Sequence, residues 1–150
     1  MPTFQYGSGA VTAAKVVTVK DAVVNGSDTK FTVDQAANTF LSGVFIRVID
    51  AVALDAAGKV GIGIGDAEGE TDVFGDDNIF CASTATDIPA NAVYQIASKD
   101  LVQSPASSAP SAVKGYTAEA RKLHAFIDNP SVAVDKAGTF EVHFLFTHLA

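Results

Sequence analysis

The sequence predicts an all-β protein, an antiparallel β-sandwich of jelly-roll-like type with roughly eight to ten strands. Three observations predict it. Apolar residues recur with a period of two through most of the chain, which is the signature of strands. Turn residues stand between these runs at short, repeated intervals. And 48% of the 150 residues are hydrophobic, which excludes a compositionally disordered chain and suits one folded core.

Taken in order, strands are expected at about 15–24, 29–33, 40–53, 59–64, 78–82, 92–98, 121–127, 131–135 and 138–147. In "GVFIRVIDAVAL", Val44, Ile46, Val48 and Val52 share one face, with Phe45, Arg47 and Ile49 on the other. That run is apolar on both sides, as a doubly covered strand would be. In "GTFEVHFLFTHL", Phe140, Val142, Phe144 and Phe146 point one way, and Glu141, His143, Leu145 and Thr147 the other. Aromatics at every second residue cannot line one face of a helix, so this is a core strand.

Hairpin chemistry is placed to match. Asn25-Gly26 separates two apolar runs, Gly58 precedes a strand, and "IDNPSVAV" and "VDKAGTF" punctuate the last third. Residues 1–12 read as an N-terminal arm and 13–150 as a single domain. The Ser/Ala/Pro-rich stretch near 103–115 reads as an exposed loop. One stretch is ambiguous: in "GYTAEARKLHAFI", Tyr116, Ala120, Leu123 and Ile127 also fit a helical stripe.

Charge excludes some partners. The net charge is −7, and the ten Lys and Arg residues form no cluster beyond Arg121-Lys122, so neither nucleic acid nor an anionic membrane is expected. No apolar run is long enough to span a membrane, and the N-terminus lacks the pattern of a signal peptide. Cys81 is the single cysteine and reads as a small apolar core residue.

The stretch "GKVGIGIGDAEGETDVFGDD", residues 58–77, looks the most chemical. Gly61, Gly63 and Gly65 fall at i, i+2 and i+4. The dinucleotide fingerprint needs its third glycine where Asp66 stands, followed by a helix. The glycines instead suit a strand anchored by Ile62 and Ile64, with its other face left thin for a close neighbour. Asp66, Glu68, Glu70 and Asp72 resemble a calcium loop only in their alternation. The glycine and bidentate glutamate of an EF-hand are replaced by Thr71 and Asp77. His143 and His148, five apart, face opposite sides of a strand. Glu141 and His143 share a face, a weak acid–base signal without a third partner. No catalytic, metal or cofactor site is assigned, and the protein is expected not to be an enzyme.

Two segments carry a resemblance. "FLSGVFIRVIDAVALDAAGKVGIGIGDAEGETDVFGDD" and "KLHAFIDNPSVAVDKAGTFEVHFLFTHL" resemble small virion structural proteins of tailed bacteriophages, over residues 40–80 and 120–150. In that group a strand pair ends in "igiGDa", an acidic loop follows, and "AGTxxVxxxF" forms the closing strand. The resemblance implies a β-sandwich or jelly roll that decorates the capsid as a cement protein, commonly as a homotrimer. Its partners would be the major capsid protein or other virion proteins, and it would be assembled in the host cytoplasm. A fibre, spike or tail component is the alternative, and a metal- or carbohydrate-binding β-sandwich module a more distant one. Phe4 and Tyr6, on the arm ahead of the first strand, are candidate assembly contacts.

Overall fold

The computed structural model describes residues 11–76, 86–96 and 114–149. They form twelve strands: β1 (Val11–Lys20), β2 (Thr29–Gln35), β3 (Thr39–Asp50), β4 (Val52–Leu54), β5 (Ile62–Gly65), β6 (Phe74–Asp76), β7 (Asp87–Ile88), β8 (Val93–Ile96), β9 (Tyr116–Thr117), β10 (Arg121–Ile127), β11 (Val134–Lys136) and β12 (Thr139–His148). All pairings are antiparallel. One sheet runs β1-β12-β3-β8 with β9 also on β3, a second runs β2-β10-β5-β6, and a short third runs β11-β4-β7.

The connectivity is that of a jelly roll. Apart from the β5–β6 hairpin, each successive long strand crosses to the opposite sheet, and the first strand lies beside the last. The third sheet continues the first around a corner. β3 runs on into β4, β11 into β12 and β7 into β8, and the same neighbours stay paired after the bend. Gly138, at φ 70°, makes the corner between β11 and β12.

Alternation places the core between the two larger sheets. Phe140, Val142, Phe144 and Phe146 of β12 and Val44, Ile46 and Val48 of β3 are buried from one side. Ile62, Ile64, Leu123 and Ile127 meet them from the other. Phe31 of β2 sets its ring edge-on to Phe144 across the layers, with centroids 6.3 Å apart. In β3 the inward positions switch parity: Leu41 and Val44 are both buried, because the register slips where Leu145 faces Gly43 and Phe146 faces Leu41. A Cβ on Gly43 would lie 3.3 Å from Leu145 Cδ1, so glycine suits the kink.

A buried amide ties the end of this sandwich together. Gln35 Nε2 donates to Thr39 O at 3.0 Å and to Gly115 O at 2.7 Å, and its Oε1 accepts from Arg121 Nε at 2.9 Å. Every polar atom of a fully enclosed side chain is thereby satisfied.

Residues 121–127 form the expected strand, and the helical alternative fails because Leu123, Ala125 and Ile127 alternate inward and the strand pairs on both edges. The differences from expectation have physical causes. β6, β7 and β9 are two or three residues long, too short for a period to register in the sequence. β1 lies at 11–20 instead of 15–24: the chain breaks at Asp21, at φ 49°, and beyond it Ala22 and Val23 are buried and donate their amides to Gly138 O at 3.2 Å and Ala137 O at 3.0 Å outside the strand ladder. Asn25-Gly26 does make a tight turn, closed by the Val24–Ser27 bridge. It joins strands of different sheets, so it is not a hairpin loop. Likewise Pro130 and Gly138 lie in connections between sheets. The strand expected at 78–82, with Cys81, falls outside the described residues, as do residues 103–113 of the Ser/Ala/Pro loop.

Candidate functional site

The outer face of the first sheet gathers the groups with the most chemistry. β12 turns Glu141, His143, Leu145 and Thr147 outward. Register sets Arg47 of β3 directly opposite Glu141, and Phe45 opposite His143. His143 Nε2 donates to Glu141 Oε1 at 2.8 Å, and Arg47 Nη1 lies 3.5 Å from the same oxygen. The His143 hydrogen bond outweighs the desolvation that pushes the other way and, with the Arg47 charge, holds the Glu141 carboxyl below the usual glutamate range. A hydroxyl chain crosses the same face: Thr12 Oγ1 lies 3.1 Å from Thr147 Oγ1, which donates to Ser42 Oγ at 2.9 Å. The face combines fixed polar groups with apolar side chains, an arrangement suited to adhesion. Glu141 accepts from two neighbours, which leaves it little room to act as a base.

Arg47 is the partner that the sequence did not reveal. Its outward direction was legible from alternation, whereas its pairing with Glu141 depends on the β3–β12 register.

The acidic loop connects β5 to β6. Asp66, Glu70 and Asp72 bring one carboxylate oxygen each within 4.8 Å of the others. Glu70 N donates to Ala67 O at 3.2 Å, and Gly69 at φ 81° completes the turn. Asp72 receives the Asp66 amide at 3.3 Å and an ion pair from Lys114 at 3.2 Å. Partial burial pushes its carboxyl up, but the Lys114 and amide hydrogen bonds outweigh this and lower it. Glu68 leaves the group for Lys30, 2.7 Å away. Repulsion among these acids is relieved by two lysines of the chain itself. Glu141 and His143, on the other sheet, do not join them.

The glycines behave as expected of a strand with a thin side. A Cβ on Gly63 would come 2.5 Å from the Phe126 ring, and one on Gly65 would come 2.6 Å from Glu70 O. The chain's own ring and loop backbone cover them. His124 borders a shallow cleft of about 240 Å³ with Lys30, Thr32 and Glu68, in which Lys30 is already held by Glu68. His148 is exposed at the end of β12. Phe4 and Tyr6 lie outside the described residues.

Four carboxylates, Asp34, Glu68, Asp72 and Glu141, sit below their ordinary pKa values through hydrogen bonds from Lys122, Lys30, Lys114 and His143. A depressed carboxylate stabilises the fold fully above its unfolded pKa, and that contribution is lost as pH falls through the folded value. Thermal melts should therefore show the unfolding midpoint dropping as pH falls below the ordinary values of 4.5 for Glu and 3.8 for Asp. Glu141→Gln should flatten part of that slope, and an unchanged slope would contradict the assignment.

No family model matches the sequence, and no curated protein matches it. Solved structures do. The chain is similar to one in the capsid asymmetric unit of cyanophage Pam1, with 12% identity, a TM-score of 0.55, and coverage of 99% of this chain and 93% of that one. A chain in the capsid of Ralstonia phage GP4 is 14% identical, with a TM-score of 0.46, over 99% of this chain and 90% of that one. At such identity the Pam1 likeness defines a shared fold, one that runs the length of both chains.

Proposed function

We propose that this chain is a non-enzymatic bacteriophage virion structural protein, a capsid decoration (cement) protein that stabilises the head. The observation that carries the reading is the fold shared with a chain of a phage capsid over nearly the whole of both chains. The phage-like patterns at 40–80 and 120–150 support it independently, because they lie in the order of the residues and not in the fold. In this reading the protein sits on the capsid surface as a homo-oligomer, with the major capsid protein as its partner. Phe4 and Tyr6 of the N-terminal arm supply aromatic anchors for the contact. A protein that binds only the assembled lattice shifts the equilibrium towards assembly, which is the physics of cementing.

The test is to strip the protein from particles, heat them, and then add it back. Stripped heads should release their contents at a lower temperature, and add-back should restore resistance. Equal resistance with and without the protein overturns the cementing role. Cryo-EM localisation provides the second arm. Copies spread over the shell support the reading, and copies confined to the tail or vertices replace it with a fibre or spike component.

A further inference from the structure

The outer face of the first sheet has no second layer over it among the described residues, although β3 carries Phe45 and Ile49 there, both half-buried. Five large apolar side chains stand exposed among the described residues: Val16 at 50%, Val24 at 37%, Val93 at 62%, Tyr116 at 40% and Leu149 at 45%. All but Val24 belong to this face. Val16 pairs with His143, Val93 with Arg47 and Tyr116 with Phe40, while Leu149 continues the outward alternation of β12. Such a concentration on one side marks a contact surface.

We propose that this face is where copies of the chain meet one another. Three observations favour a like partner. The face is electrically balanced, with Arg47 against Glu141 at its middle and Lys20 and Asp50 flanking Thr139 at its rim. In a chain of net charge −7 it is therefore a surface on which two copies can approach without like-charge repulsion. Its size is also adequate. Three long strands, with β8 and β9 covering part of a fourth position about 4.8 Å further on, give roughly 590 Å² per subunit, so a face-to-face pair covers about 1,200 Å², at the lower end of specific interfaces. The third observation concerns the edge of the same sheet. β1 could otherwise recruit a second chain by strand addition, but Lys15 stands on its core-facing side and donates to Asp34 O at 2.9 Å. An inward-facing lysine of this kind guards an edge against pairing. Association is thereby directed from the edge to the face.

The test is sedimentation velocity with light scattering on the purified protein. The wild type should have a mass that is a multiple of 15.5 kDa. The pair Val16→Glu and Val93→Glu should reduce it to that of a single chain with an unchanged far-UV spectrum. Val24→Glu, which places the same charge on an exposed valine elsewhere, should leave the assembly intact. Arg47→Glu is the second variant should the pair fail to fold: it sets two anions side by side on each face and should weaken association, more so at low salt. A wild type of single-chain mass at every concentration overturns the proposal, and so does a full-mass oligomer in both face variants. The measurement needs no capsid, so its failure would leave the cementing role standing, and the reverse holds too.

Discussion

Phe144→Ala should cost about 3–5 kcal/mol of unfolding free energy and lower the melting temperature by roughly 6–20 °C. Phe144 is fully buried, stacks on Phe146 at a 6.3 Å centroid distance, and meets the ring edge of Phe31 from the opposite sheet. Truncation removes the transfer free energy of a phenyl ring. It also leaves a cavity between two sheets whose backbones are held by their ladders, so the walls can close only in part. Against a total stability of about 5–15 kcal/mol for a domain, one such loss is a large fraction. Leu145→Ala is the contrast. The neighbouring side chain points to the outer face and is half-exposed, so its truncation should cost well under half as much. Urea unfolding at one fixed protein concentration measures both, and equal costs would contradict the inward and outward assignment of β12.

That assignment was legible in the sequence. A stripe of Phe140, Val142, Phe144 and Phe146 has one physical meaning, because only a period of two puts them on a common side. The same held for Val44, Ile46 and Val48, and for Gly63 and Gly65 as places where something must lie close. What alternation cannot carry is partner choice. The turn at Asn25-Gly26 looks the same whether the chain doubles back in its own sheet or crosses to the other, and here it crosses. The contact of Arg47 with Glu141 and that of Lys114 with Asp72 arise from register and from long-range closure. Neither leaves a local trace. The parity switch in β3 is likewise a bulge set by what faces Gly43, namely Leu145 on another strand. The candidate surface was thus half visible: its outward residues could be named one strand at a time, but their assembly into one balanced face could not.

Gly138→Ala should destabilise the fold by about 3 kcal/mol, while Gly26→Ala should cost about 1 kcal/mol. Both glycines have positive φ, 70° and 83°, so both variants carry the left-handed backbone penalty. They differ in surroundings. Nothing lies within 4 Å of a Cβ at Gly26, whereas one at Gly138 would come 2.6 Å from Val52 Cγ2, 2.8 Å from Asp50 O and 3.2 Å from Ala51 O. The subtraction isolates the steric cost of the corner at which the first sheet turns into the third. Elsewhere the chain tolerates positive φ with Asp21, Asn38 and Asn91, whose short polar side chains suit that region. At 138 no side chain fits, since two of the three obstructing atoms are backbone oxygens of the β3–β4 connection. Making room there means prying the β11–β12 bend away from β3 and β4, the paired strands that continue into the proposed contact face. Val52→Ala in the Gly138→Ala background should recover only the Cγ2 part of the clash, making the double variant less than additive in urea midpoint. Full additivity would mean that the corner yields elsewhere, and that the bend is softer than its close contacts imply.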